Sequence, residues 1–217
     1  MRLVSILGAS ILLTLPVSAH AEPQRGAATS TLTLEKLLAQ FRSMKGLEAK
    51  FREEKRIAML DAPLVSEGTL HFSVPDRLLR TTAKPTKTRM LIDGAKLTFN
   101  DGHTTESMSL DANPVAKLFV DSFLKILVGD TAALSRLYEM TFKPGAGELW
   151  ELSLKPKVDP MNKVISVIEL SGSGRIITKM RIAEIGGDET LTTYTGVDTS
   201  RTYAIEEQKK LFTATSP

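Results

Sequence analysis

The 217-residue chain contains no cysteine. Without a thiol there is no cysteine nucleophile, no thiolate metal site and no disulfide, so stability must come from the core alone. Histidine is scarce: the three are His20, His71 and His103. No H-E-x-x-H spacing occurs, and no carboxylate cluster accompanies His71 or His103, so both read as surface or strand-facing side chains rather than metal ligands. Aromatic residues make up only 6% of the chain and the formal net charge is +3. Lysine and arginine alternate with glutamate and aspartate, and the basic, aromatic-laced stripe that nucleic acid requires is missing. There is no G-x-S-x-G, no phosphate loop and no dinucleotide fingerprint. No nucleophile and base fall into a recognisable pair, which argues against a hydrolase. Apolar runs of spanning length are also missing.

What is present begins at the N-terminus. Arg2 is followed by a nearly continuous apolar run from Leu3 to Leu15, and Ala19-His20-Ala21 is an A-x-A site. That layout predicts a secretory signal peptide over Met1–Ala21, cut after Ala21. The run is too short to span a bilayer, and no cysteine is available to carry a lipid anchor. The alternative is a retained N-terminal membrane anchor. Residues 22–30 read as a flexible leader, and residues 31–217 as one domain large enough for a real core. The mature chain is expected outside the cytoplasm, in the periplasm, as a monomer.

Periodicity then sets the elements. Thr33 is placed to cap a helix whose apolar face is Leu34, Leu37, Leu38, Phe41 and Met44. After Gly46 the period changes to two, with Leu47, Ala49 and Phe51 alternating with charged residues. Val65–Ser73, Leu78–Thr82, Arg89–Ile92 and Lys96–Phe99 continue as strands, and Asp93-Gly94 and Asn100-Asp101-Gly102 mark hairpins. Asn113 and Pro114 form the start signal of a second helix, Gly129 stops it, and Asp130 caps a third. Strands resume at Glu139–Lys143, Glu148–Leu154, Val164–Leu170, Ile176–Glu184 and Thr190–Tyr194. The expected class is α+β, a curved antiparallel half-barrel sheet of about ten or eleven strands with a helical lid on its concave face.

Few motifs suggest chemistry. Gly172-Ser173-Gly174 lies between strands and reads as a hairpin turn, not a phosphate cradle. Glu53-Glu54 and Glu206-Glu207 are adjacent pairs that do not share a face and read as solvated. The helix from Val115 to Val128 is apolar almost all round. It is either a core helix with two covered faces or a lid over a lipid-sized cavity. Acyl chains suit such a site, since each buried methylene contributes ~0.8 kcal/mol without directional contacts. Met90, Met108 and Met140 would adapt to a ligand of variable shape.

Several segments in this order resemble the periplasmic lipoprotein carrier family (LolA-like). They are the opening helix with Leu47-Glu48-Ala49-Lys50-Phe51, then Gly68-Thr69-Leu70-His71-Phe72 with Pro75-Asp76-Arg77-Leu78. Ile92-Asp93-Gly94-Ala95-Lys96-Leu97, Pro114–Phe119 with Leu127–Asp130, and Trp150–Pro156 follow. The similarity runs from Leu34 to Phe212. It implies a half-barrel holding acyl chains, with no reaction and no cofactor. It also implies an inner-membrane donor transporter and an outer-membrane acceptor for a lipoprotein cargo. The chain departs from the family's pattern at Val74, where the carrier has a latch arginine before the proline, and at Leu79-Arg80, where an aromatic is usual. A divergent paralogue carrying a glycolipid or another membrane lipid is the reading these departures favour.

The expected cavity residues are Phe51, Leu70, Phe72, Leu78, Met90, Ile92, Leu97 and Phe99 from the sheet, with Leu118, Phe119, Phe123 and Leu127 from the lid. Arg80 and Arg89 are the expected headgroup contacts. No metal ligand is expected. A second reading is a lipid- or protein-binding sensor or adaptor of the same fold that transports nothing. Export is directly checked: N-terminal sequencing of protein recovered from the periplasm should start at Glu22, and a start at Met1 in the membrane fraction would mean a retained anchor.

Overall fold

The computed structural model describes residues 32–213. The expected signal peptide, Met1–Ala21, and the leader, 22–30, lie outside the described residues. Thr33 caps helix α1 (Leu34–Arg42) as its position predicts, its hydroxyl accepting from the Lys36 amide at 3.3 Å. The helix buries Leu37, Leu38 and Phe41. The chain then enters a six-strand meander: β1 (Gly46–Arg56), β2 (Leu64–Ser73), β3 (Arg77–Lys84), β4 (Thr88–Asp93), β5 (Lys96–Asn100) and β6 (Thr105–Ser109). Helices α2 (Pro114–Leu127) and α3 (Thr131–Leu137) lead to the opposite edge. The return consists of β7 (Tyr138–Pro144), β8 (Leu149–Pro156), the one-turn α4 (Met161–Val164), β9 (Ile165–Ser173), β10 (Ile176–Glu184) and β11 (Glu189–Asp198), before α5 (Ile205–Leu211).

The 11 strands form one sheet in the order β6-β5-β4-β3-β2-β1-β11-β10-β9-β8-β7. Every pairing is antiparallel. β1 is the central strand and joins the two meanders. The expected α+β half-barrel is the fold observed. Register shifts at Glu48/Lys50 on β1 and Ile177/Lys179 on β10 are bulge-type irregularities, which bend a strand and raise its twist.

Two apolar clusters share the inner face. The first joins α1 to β8 and β9, with Phe41 edge-on to Trp150 at 5.9 Å between ring centroids. The second joins Leu47, Phe72, Leu78 and Ile92 to Leu124 and Leu127 of α2. Ile126 of the same helix belongs to the first cluster, so α2 bridges both. The outer face carries a smaller cluster of Leu79, Leu91, Tyr203 and Phe212, where the C-terminal segment lies across β2–β4. Tyr203 donates from its hydroxyl to the Leu47 carbonyl at 2.9 Å. His71 faces Tyr203, and burial pushes its imidazole below the usual histidine range.

Three elements were not legible in the sequence. β6 is exposed at every position, so it shows no alternation to read. α4 is one turn long, and it takes Val164 out of the expected strand. α5 has no buried residue and carries the Glu206-Glu207 pair in its first turn.

Helix α2 is held unevenly. Its Asn113 cap accepts from the Ala116 amide at 3.1 Å, with Pro114 in the first turn. Its second half is anchored through Leu124, Ile126 and Leu127, while Val115 near its start is 47% exposed. Gly129 ends it with φ +62°, and a Cβ there would stand 2.1 Å from the Leu38 carbonyl oxygen of α1. Arg42 donates from Nη2 to the Gly129 carbonyl at 2.9 Å, which locks the junction. Gly129→Ala should therefore lower stability by more than the ~1–2 kcal/mol of the left-handed backbone alone, because the close approach to α1 is also disrupted. Denaturant unfolding checks this, and a loss below ~0.5 kcal/mol would mean that the junction is not fixed as described.

Candidate functional site

Residues two apart on a strand share a face, so Phe51 and Glu53 both point inward with Leu47 and Ala49. Pairing extends the row sideways. Phe51 stands opposite Tyr194 and Gly68, and Glu53 opposite Thr192 and Ser66. Leu70 stands opposite Arg80, Arg80 opposite Met90, and Met90 opposite Phe99.

Under α2 this surface forms a trough in two parts. The larger has a volume of ≈ 250 Å³ and is bounded by Phe51, Leu78, Met90 and Ile92 from the sheet and Phe119 and Val120 from the helix. The smaller, of ≈ 20 Å³, lies beside Met44, Leu47, Ile126 and Leu127. Leu70, Phe123, Met180 and Tyr194 line both and form the constriction between them. The smaller part has room for about one water. The larger falls just short of the ~300–1,000 Å³ of pockets that enclose drug-sized ligands.

Of the expected cavity residues, Phe51, Leu70, Leu78, Met90, Ile92, Phe119, Phe123 and Leu127 line this trough. Four do not. Phe72 is fully buried in the second cluster, and Leu97 packs against that cluster. Leu118 packs against the first cluster. Phe99 is 39% exposed because β5 lies near the sheet edge. Of the three methionines considered, only Met90 lines the trough; Met140 packs on the first cluster and Met108 is exposed.

The two arginines separate. Arg89 belongs to the outer face, where it donates to the carbonyls of Leu211 and Thr213. That placement keeps it apart from the residues that line the trough. Arg80 lies inside. Its Nη2 donates to Glu53 Oε1 at 2.9 Å, and its guanidinium stacks over the Phe51 ring at 4.3 Å from the centroid. Gly68 makes room for that ring, since a Cβ there would stand 2.9 Å from it. Glu53 also accepts from the hydroxyl of the buried Thr192 at 3.2 Å. The expectation that Glu53 is simply solvated is therefore corrected: its side chain is 22% exposed and ion-paired. Burial pushes the Tyr194 phenol well above the usual tyrosine range, and the nearby charges of Arg80 and Glu53 act on it in opposite directions.

Sequence reasoning passed over Glu53, Thr192, Tyr194 and Met180. For Glu53 the signal existed, since it lies two residues beyond Phe51 on the same strand. Val74, in place of the family's basic residue, is apolar and packs against the second cluster. Among the described residues no three histidine or carboxylate side chains group as a metal site.

Residues 26–213 match the family of outer membrane lipoprotein carrier protein LolA-like proteins. The chain belongs to that family. No curated protein matches its sequence. Solved structures similar to this LolA-like chain include a LolA superfamily protein from Nitrosomonas europaea, at 10% identity and TM-score 0.46, covering 84% of this chain and 98% of that one. A putative outer membrane lipoprotein-sorting protein domain from Vibrio parahaemolyticus aligns at 12% identity and TM-score 0.45, over 82% and 98%. The MucA/MucB complex of Pseudomonas aeruginosa aligns at 14% identity and TM-score 0.49, over 80% of this chain and 58% of that one.

The trough and the core separate by mutation. Phe72→Ala should cost about 3–5 kcal/mol of stability, as for any large core aromatic. Phe119→Ala should cost clearly less and instead weaken uptake of a fluorescent fatty-acid probe. Equal destabilisation by both, with probe uptake unchanged by Phe119→Ala, would make the trough a packing defect.

Proposed function

We propose that this LolA-like protein is a periplasmic carrier that holds the acyl chains of a lipoprotein or membrane lipid in the trough beneath α2. It ferries that cargo from an inner-membrane donor toward an outer-membrane acceptor and performs no chemistry on it. One observation carries the reading: an apolar trough is lined by both the sheet and a helix whose first half is only partly buried. A core helix would bury its apolar face along its whole length. Here Leu118, Phe119 and Val120 stay half-buried while Leu124, Ile126 and Leu127 are locked in.

Volume makes the reading mechanical. Parts of ≈ 20 and ≈ 250 Å³ do not hold a full-length acyl chain with the helix as placed. Loading therefore requires the first half of α2 to lift, pivoting on the Gly129 junction, and separation of the side chains at the constriction. Each methylene taken up contributes ~0.8 kcal/mol, so a chain of ordinary length offsets the packing that α2 gives up as it lifts.

Native mass spectrometry of the mature protein, purified from the periplasm without detergent, tests this. A bound lipid or acylated species near one-to-one is expected, and its extraction identifies the cargo. A ligand-free mass that takes up neither added lipids nor acylated peptides would exclude the carrier role and leave a protein-binding adaptor of the same fold.

A further inference from the structure

Arg80 has donors that the protein does not use. Its Nη2 donates to Glu53 and to Ser66 Oγ, at 2.9 and 3.4 Å. Its Nε and Nη1 have no protein acceptor among the described residues. Glu53, in contrast, is committed on both oxygens: Oε1 accepts from Arg80 and Ser66, and Oε2 from Thr192. The group left with capacity is therefore a cation, and what it lacks is an acceptor. Stacking on Phe51 and the bond to Glu53 fix its orientation, so little freedom is lost when an acceptor arrives. The side chain is 27% exposed and lines the trough beside Leu78, Met90 and Phe119.

The surroundings restrict the charge of that acceptor. Glu53 already neutralises Arg80, so any anion also meets the carboxylate, and a doubly charged phosphate meets about twice the repulsion of a singly charged group. A single negative charge, on an oxygen that accepts from either Nε or Nη1, meets a charged donor with less of that repulsion. Its position at the edge of an apolar trough requires acyl chains attached to it. Resting on the carrier reading, we propose that Arg80 is the headgroup-recognising residue of the trough. The cargo is then an acyl lipid bearing a singly charged oxyanion next to its chains, and Glu53 is the positioning residue that sets both the orientation of Arg80 and the charge it accepts.

Calorimetric titration with two probes of equal chain length, lysophosphatidylglycerol and monoacylglycerol, tests the proposal. The wild type should bind the phosphodiester about tenfold more tightly, the scale of a charge-assisted hydrogen bond. The double variant E53Q/R80M removes both charges together and leaves no unpaired carboxylate. It should bind both lipids alike, at the wild type's monoacylglycerol level. R80K, which keeps the charge without the planar fork, should retain part of the preference at an unchanged melting temperature. Equal binding of the two lipids by the wild type, or a preference surviving in E53Q/R80M, would overturn the headgroup assignment and leave the carrier reading standing. Equal loss of both lipids in R80K at unchanged stability would show that Arg80 only packs, and would also overturn it. Failure of the wild type to bind either lipid would overturn the carrier reading itself. Inorganic phosphate alone should not bind at the concentrations that saturate the lipid, and equally tight binding would make this a free-anion site instead.

Discussion

An antiparallel sheet of eleven strands cannot stay flat. Each strand pair adds right-handed twist, and over this many strands the sheet curls. Curling makes the two faces unequal. The inner face collects Leu47, Phe51, Leu70, Trp150, Leu152 and Leu154 against too little space to be covered by another sheet. Helices must cover it, and the chain supplies them before β1 and between β6 and β7. Everything distinctive about the molecule follows from how completely they do so.

Cover is complete on one half and partial on the other. α1, α3 and α4 close the inner face over β8 and β9, where Phe41, Leu134, Tyr138, Trp150 and Met161 are all but inaccessible. Over β1–β4 only α2 is available. Its C-terminal half is tied to α1 at Gly129, where the approach is too close for any side chain. Its N-terminal half lies over the trough, with Leu118, Phe119 and Val120 only half-buried against the two clusters. The same helix is thus an anchor at one end and a movable cover at the other, and the difference lies in what is beneath each half.

Within that apolar space the Glu53–Arg80 pair is an exception that needs a reason. A partly buried ion pair is poor evidence for stability, because desolvation consumes most of the Coulombic gain. Thr192, Ser66 and Phe51 satisfy or shield much of this pair but leave two of the arginine nitrogens without a protein acceptor among the described residues. A polar group retained in that condition is better suited to recognition than to folding. It also places the polar end of any ligand at the trough's edge and its chains beneath α2.

Local chemistry made much of this fold legible in advance. Thr33, Asn113 and Asp130 cap their helices through bonds to amides three residues away, and such bonds depend on nothing distant. Alternation located the strands at Leu47–Phe51 and Trp150–Leu154, because one face of each is buried. It failed at β6, which buries neither face, and it could not assign faces where both are covered. Leu78-Leu79 and Leu91-Ile92 are consecutive buried pairs, since the C-terminal segment packs on the outer face as the helices do on the inner. For that reason Arg80 and Arg89 looked equivalent until register put one inside and one outside. The sequence by itself determined the elements, their order and the apolar surplus that demands a curled, covered sheet, because these arise from neighbours along the chain. Which side chains line the trough, whether Arg80 or Arg89 enters it and which half of α2 is anchored were decided only in the tertiary structure. Those depend on pairings such as Arg80 with Glu53 and Gly129 with Leu38, which bring together residues far apart in the chain.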